Sequence, residues 1–383
     1  MIASEYNYAS NSITYELART YFLNGFITEA MKDQVTKHLD NKNRIGGDFS
    51  AEMYFRHTPD SMFGNDTWSW TIGMKNVNHF HSTFSRDLFE VYFRGNKNYT
   101  GKTADFSDFN YLLLNYQQLQ FGISKRIKKD SAAWEAGAAL GFNAGQQLLE
   151  IQAARADLYT QEIGTYLDLN AKLQMRFSDS LKKKFGSLNG FGISTDFFIK
   201  AAIKEKHFFF FKVSNLGFIR WNNRSAEIKA DTSFRFEGID VNDLFTFADT
   251  IKTTFTNDST LAQNFLTQRK YKSYTLLLPA KIEVSYKRPL GHRHMRAGIG
   301  VNYIINADYV PKVHFDVDYS WSKNMITFNV SYGGYTEFGA GIFYQHHFNR
   351  GYVFMIGSDY INSLFNMNNS RSQHLGITFY RNF

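Results

Sequence analysis

Val313-His314-Phe315-Asp316-Val317-Asp318-Tyr319-Ser320-Trp321 decides the architecture. Its odd positions are apolar and its even positions are polar or ionisable. Successive side chains on a strand point to opposite faces, so this segment is a strand with one apolar and one polar face. The same period runs through Leu167-Asp168-Leu169-Asn170-Ala171-Lys172-Leu173-Gln174-Met175-Arg176-Phe177. It recurs in Phe49, Ala51, Met53 and Phe55, in Trp68, Trp70, Ile72 and Met74, and in Ile282, Val284 and Tyr286. Further alternating runs lie near residues 115–127, 132–145, 189–203, 207–221, 226–237, 293–305, 325–333, 335–347, 351–361 and 373–383. Lys128-Lys129-Asp130, Lys204-Glu205-Lys206, Asn222-Asn223, Pro289-Leu290-Gly291 and Gly333-Gly334 separate them as hairpin turns, so neighbours pair antiparallel.

Alternation alone fits a soluble sandwich or a membrane barrel, with opposite faces turned to water. The strands here are often eleven residues or longer, where soluble strands have about five or six. Aromatic residues gather near strand ends, as at Trp68, Trp70, Trp134, Trp221, Trp321, Tyr344, Tyr352 and Tyr380, the pattern of an interfacial girdle. The chain ends in Leu375-Gly376-Ile377-Thr378-Phe379-Tyr380-Arg381-Asn382-Phe383. Phe379 and Phe383 there resemble the C-terminal insertion signal of bacterial outer-membrane barrels. No apolar run approaches the roughly 20 residues of a transmembrane helix, and the mean hydropathy is −0.38. Neither fact speaks against a barrel, whose strands alternate. The expected fold is all-β: a transmembrane antiparallel up-and-down barrel of about 14 strands, with 16 the next even number.

Composition removes other classes. With 38 Phe, 23 Tyr and 5 Trp the chain is not disordered, and with no Cys it has no disulfide framework, Cys-ligated zinc or thiol nucleophile. Met1-Ile2-Ala3-Ser4-Glu5-Tyr6 has neither a basic n-region nor an apolar h-region, so a mature form with its signal peptide removed is expected in the bacterial outer membrane. Outer-membrane lipids and lipopolysaccharide are then its surroundings.

Residues 1–43 break the period and are expected as a helical segment, a plug in the lumen or a periplasmic lid, before a barrel over 44–383. Ile13, Leu17 and Tyr21 form one stripe and Met31, Val35 and Leu39 another, with Ser12 and Thr28 as N-caps. Ser85 to Gly95 predicts a short capped helix within an external segment near 80–112. Residues 240–270 predict another. Their apolar residues mark a candidate ligand or partner surface: Leu88, Phe89, Tyr92, Phe93, Leu244, Phe245, Phe247, Phe255 and Phe265. The lumen is expected to carry Glu52, Arg56, Asp168, Lys172, Arg176, Asp231, Arg235, Lys281, Glu283, Asp316 and Asp318.

No phosphate loop, dinucleotide fingerprint or nucleophile elbow is present. The histidine pairs His79/His81, His292/His294 and His346/His347 lack a third ligand by spacing, and His81, His314 and Asp316 form no catalytic constellation. No enzyme activity, cofactor or metal is expected. The net charge of +8 sits partly in Lys125-Arg126-Ile127-Lys128-Lys129 and Lys182-Lys183-Lys184, read as solvated periplasmic turns; base-stacking aromatics are not interleaved with them, so nucleic acid is not expected as a partner.

Asn43-Arg44-Ile45-Gly46-Gly47-Asp48, Phe84-Ser85-Arg86-Asp87-Leu88-Phe89, Gly95-Asn96, Gly101 and Tyr116-Gln117-Gln118-Leu119-Gln120-Phe121-Gly122-Ile123-Ser124 resemble a family of Bacteroidota outer-membrane barrels of unassigned function. That family is itself similar to the fatty-acid transporter FadL and to PorV of the type IX secretion system. The motifs cover roughly the first 180 residues. The resemblance implies a 14-stranded barrel with an N-terminal segment in or under the lumen. It also implies either passage of small hydrophobic molecules or an accessory role in a larger outer-membrane complex with partner proteins.

Overall fold

The computed structural model describes residues 1–179, 186–204, 206–237, 269–291, 294–366 and 368–381. Its strands are β1 (Ile2–Ser10), β2 (Lys42–His57), β3 (Trp68–Ser85), β4 (Lys102–Asp105), β5 (Phe109–Lys129), β6 (Ala132–Thr160), β7 (Tyr166–Phe177), β8 (Gly190–Ile203), β9 (His207–Trp221) and β10 (Ala226–Glu237). They continue as β11 (Lys270–Tyr271), β12 (Tyr274–Leu277), β13 (Ala280–Pro289), β14 (Met295–Ile305), β15 (Val310–Trp321), β16 (Asn324–Gly334), β17 (Phe338–His347), β18 (Tyr352–Ser358) and β19 (Ser372–Arg381). Three helices matter for the site: α1 (Tyr15–Phe22), α2 (Glu29–Thr36) and α3 (Arg86–Arg94).

Fourteen strands close an antiparallel ring: β1, β2, β3, β5, β6, β8, β9 and then β13 to β19. The closing seam sets Ile2 opposite Phe379 and Ala9 opposite Ser372, while the other edge of β1 runs from Ile2 opposite Met53 to Ser10 opposite Ile45. Closure satisfies every strand edge, which a lipid environment demands because it supplies no hydrogen bonds.

The ring is inverted relative to a soluble protein. On β5, Leu119, Phe121 and Ile123 are 40–47% exposed, while Gln118, Gln120 and Ser124 between them are buried. Phe142, Ile193, Phe211, Ile299, Phe315, Phe328 and Ile377 continue the apolar exterior. Trp70, Trp134, Trp321 and Tyr344 flank it near one end. At that end the connections are mostly short, as between β5 and β6, β8 and β9, or β15 and β16; at the other end they carry the helices. Long connections mark the outer end of such barrels.

β6 has 29 residues, roughly 95 Å of chain, where a tilted crossing needs about 9–11 residues. Its first half pairs with β8, from Ala132 opposite Ile203 to Gly145 opposite Gly190, and its second half pairs with β7, from Leu149 opposite Phe177 to Thr160 opposite Leu167. β10 then pairs with the far edge of β7. The wall thus continues beyond the membrane as an extension of β5, β6, β7 and β10. Two bulges adjust it. Asn115 faces Gln147 while Tyr116 faces Gly145, leaving Gln146 extra; Ala153 faces Leu173 while Arg155 faces Lys172, leaving Ala154 extra. At the fork the buried Trp221 fills the inside against Gly145, where an added Cβ would lie 2.9 Å from the indole. Val77, Leu112, Leu114, Tyr116, Leu148, Ile219 and Leu278 pack with it as an apolar seal across the inside of the wall.

Several expectations change. The first residues are not helical: Ile2–Ser10 is a barrel strand whose partners lie elsewhere in the chain, and its weak contrast of Ser4 and Tyr6 against Glu5 and Asn7 hid the period. Helices occupy only part of 12–39, and Thr14, not Ser12, caps α1 by accepting from the Leu17 amide at 3.3 Å. Thr28 does cap α2, and Ser85 caps α3 at 3.0 Å from the Leu88 amide with Gly95 (φ +81°) ending it. Trp221 is core, not girdle. Asp168, Lys172, Asp231 and Arg235 share the lumen-facing side of the sheet but stand on the extension. There they pair with each other in the open, Arg235 to Asp168 at 2.7 Å and Lys172 to Asp231 at 3.5 Å. Arg176 binds Glu150 and Glu227 there. Lys182-Lys183-Lys184 and the segment 240–266 lie outside the described residues.

The inversion has a direct test. Phe121→Arg places a charge on the lipid face and should lower unfolding free energy in lipid vesicles by roughly 2–4 kcal/mol. Lys229→Gln, on the exposed face of the extension, should stay within about 0.5 kcal/mol.

Candidate functional site

The site is an apolar cavity of about 410 Å³ between the helices and the wall. α1 contributes Leu17, Tyr21 and Phe22, α3 contributes Leu88, Phe89, Tyr92 and Phe93, and the strands contribute Phe80, Phe84, Tyr111, Ile151, Ala153, Leu169 and Ala171 among others. No lining residue is charged.

Strand parity fixes which side of the wall this is. β3 pairs without a bulge on both edges, so Phe80 and Phe84 share a face with the exposed Ile72 and Met74. On β5, Phe109 and Tyr111 share a face with Leu119 and Phe121; on β2, Ile45 shares one with Phe49 and Met53. The cavity therefore lies on the outer surface of the wall, directly above the lipid belt, and not in the lumen. One face of the sheet is mostly apolar: lipid covers it below and helices cover it above. This overturns the expected plug or periplasmic lid, because α1 and α2 sit at the outer end and outside the ring.

Sequence builds this roof locally. α1 buries Leu17 and Ala18 with Ile13, Val35, Leu39 and Phe89 over Tyr8. The Tyr21 hydroxyl meets the Tyr92 hydroxyl at 2.8 Å and joins α1 to α3. Arg94 reaches Asp33 at 2.6 Å and Glu90 at 3.2 Å, and these carboxylates hold its guanidinium above its ordinary pKa despite some burial. Asp87 in the first turn of α3 accepts from the Tyr99 hydroxyl at 2.7 Å and from the Asp105 amide at 2.9 Å, tying the helix to β4. Burial first, and then this carboxylate, push the Tyr99 hydroxyl up.

Of the residues singled out by sequence, Leu88, Phe89, Tyr92 and Phe93 converge on the cavity. Leu244, Phe245, Phe247, Phe255 and Phe265 lie outside the described residues. Phe379 faces lipid and stacks on Tyr352 with centroids 5.6 Å apart; Phe383 also lies outside them. The small wall residues Ala153, Ala156 and Ala171 escaped notice, because alanine alternates like any apolar residue and only the fold shows that its size leaves space.

The lumen has the opposite character. A second cavity of about 380 Å³ there mixes charged groups, Glu5, Asp48, Lys75, Lys281, Lys312 and Asp359, with apolar ones such as Val77, Ile304 and Phe343. Asp48 binds His79 at 2.8 Å and Lys281 at 3.3 Å, His79 meets His81 at 3.0 Å, and Lys312 binds Asp359 at 2.9 Å. Tyr309, Tyr335 and Tyr360 cluster with Ala9 above it. Glu52, Lys281, Glu283, Asp316 and Asp318 thus belong to the barrel interior, as expected. His314 bonds Asp316 at 3.1 Å along its own strand, whereas His81 lies 3.9 Å from Asp308.

Glu227 clamps the base of the extension, where β10 begins beside the end of β7. Burial raises its carboxyl, but hydrogen bonds from Lys272, Arg176 and Gln174 outweigh that and hold it at about 2, below its ordinary 4.5. A depressed carboxylate stabilises fully above its unfolded value and loses that contribution as pH falls toward the folded one. Protease resistance of the extension should therefore fall between pH 4.5 and 2, and Glu227→Gln should be weaker at pH 7 and flatter across that window.

Solved structures align with this chain at very low identity. A FadL homologue of Pseudomonas aeruginosa is 10% identical over 99% of this chain and 88% of its own, with a TM-score of 0.41. The toluene transporter TodX of Pseudomonas putida is 6% identical over 99% and 86%, with a TM-score of 0.41. Outer membrane phospholipase A from Escherichia coli is 9% identical over 100% and 90%, with a TM-score of 0.27. No curated protein matches the chain. A family model does match residues 2–359, and the chain belongs to that family, DUF5723, a family of unknown function.

Proposed function

We propose that this chain is a non-enzymatic outer-membrane barrel that takes up small hydrophobic molecules at the outer surface, with the cavity under α1 and α3 as its binding site. The observation that carries this reading is the lining: an uncharged, largely aromatic and aliphatic pocket within the usual ligand-site range of about 300–1,000 Å³. Its position supports the same reading. The pocket adjoins the lipid belt, so an apolar molecule bound there has a short path to the membrane. The lumen supports it by contrast, because an apolar ligand there would have to desolvate paired carboxylates and ammonium groups at a penalty, whereas the outer cavity holds no charge.

An accessory role in a larger outer-membrane complex has one motive of its own. Phe22 at the end of α1, and Leu23 and Phe26 between α1 and α2, are 57–85% exposed. Native mass spectrometry of the gently extracted protein separates the two: a lone chain carrying an apolar molecule supports uptake, and a stoichiometric second protein supports the accessory role.

Filling the cavity tests the site. Ala153→Trp and Ala171→Phe should reduce retention of tritiated dodecane by the amphipol-held protein at least tenfold, with Lys172→Ala on the opposite face unchanged. Wild-type retention in both filled variants would remove the cavity as the binding site.

A further inference from the structure

The outer face carries an anomaly directly below the cavity. Going up β3 from Trp70, that face presents Ile72 and Met74, then Asn76 and Asn78, and then Phe80 in the cavity wall. On β5 the same face presents Leu119, then Gln117 and Asn115. The register puts them side by side: Asn76 is opposite Gln117, and Asn78, Asn115 and Gln147 form one row across β3, β5 and β6. Five carboxamides thus make two rungs on three adjacent strands. In the same rows β1 and β2 carry Ser4 and Ala51, then Tyr6 and Phe49.

A tilted crossing takes about 9–11 residues, so counting from Trp70 puts both rungs in the outer part of the span. Amides facing hydrocarbon are unfavourable unless something bonds them. Their internal bonds are few: Asn115 Nδ2 donates to Gln147 Oε1 at 3.2 Å and Asn78 Nδ2 donates to the Phe49 carbonyl at 3.4 Å. Asn115 Oδ1 is buried and accepts no hydrogen bond. The upper rung begins one pleat, roughly 7 Å, below Phe80.

We propose that the cavity and the amide patch are one site for an uncharged amphiphile, whose chain fills the cavity and whose hydroxyl or amide head bonds the carboxamides. The chemistry selects the head. Amides donate and accept but carry no charge, and neither rung contains a charged side chain. A carboxylate or phosphate held at this depth would lack a counter-charge. An acceptor left without a donor at Asn115 favours a head that donates. The inference rests on the cavity binding apolar chains, and it names the ligand class more narrowly.

The test uses the full chain in amphipol with three tritiated probes of equal chain length: dodecane, dodecanol and dodecanoate. The expected order is dodecanol about tenfold or more tighter than either of the others, as one or two added hydrogen bonds imply. The triple variant Asn78→Leu, Asn115→Leu, Gln117→Leu should lose that preference while keeping wild-type dodecane affinity and heat-modifiable gel migration, which shows that it has folded. Equal binding of dodecanol and dodecane by the wild type, or a preference that survives the triple variant, would overturn the amphiphile site and leave the cavity reading intact. Dodecanoate binding as tightly as dodecanol would overturn the uncharged head. Dodecane binding that ignores Ala153→Trp would instead remove the cavity reading on which the inference stands.

Discussion

Every feature of this protein depends on closing a sheet in a solvent that offers no hydrogen bonds. The seam between β1 and β19 does this, joining the first ten residues to the last dozen described ones. An open edge of either strand would expose a row of unpaired N–H and C=O groups to lipid, so the ring exists whole or not at all. Closure also commits each strand to an inside and an outside for its full length. A side chain can change sides only where a bulge adds a residue, and β6 does so at Gln146 and Ala154.

That commitment explains the site. A largely apolar face begun in the lipid belt resumes on the extension above the two carboxamide rungs, where water would otherwise meet it. The protein covers it with α1 and α3, and the cavity is the space they leave over Ala153, Ala156 and Ala171. The extension itself exists because β6 outruns the membrane and exchanges β8 for β7 as its partner, with Trp221 filling the fork. The site is thus a consequence of wall length and small side chains rather than of a dedicated domain.

The charged interior follows the same rule in reverse. Side chains turned inward within the membrane leave the lipid but keep polar neighbours, so Asp48, His79, Lys281, Lys312 and Asp359 are tolerated there as a paired network. Removing one partner would leave a buried charge uncompensated and destabilise the barrel. Beside it, at the same height, the seal around Tyr116, Leu148 and Trp221 is one of the places where apolar groups face inward.

Much of the fold was legible in the sequence because strand alternation is local. Leu167 to Phe177, Val313 to Trp321 and the helix from Ser85 to Gly95 each declare themselves within a dozen residues, and so did Leu88, Phe89, Tyr92 and Phe93 as apolar residues seeking cover. Ile2–Ser10 did not, since its alternation is weak and its identity as a strand comes from two distant partners. Nor could alternation say what covers an apolar face. Leu119 and Tyr111 lie on the same side of one strand and look alike in sequence, yet lipid covers the first and the helices roof the second. Sequence by itself determined the period, the turns and hence a closed membrane barrel. Tertiary structure alone decided where the wall leaves the membrane and on which side of it the helices settle, because both depend on register between segments far apart in the chain.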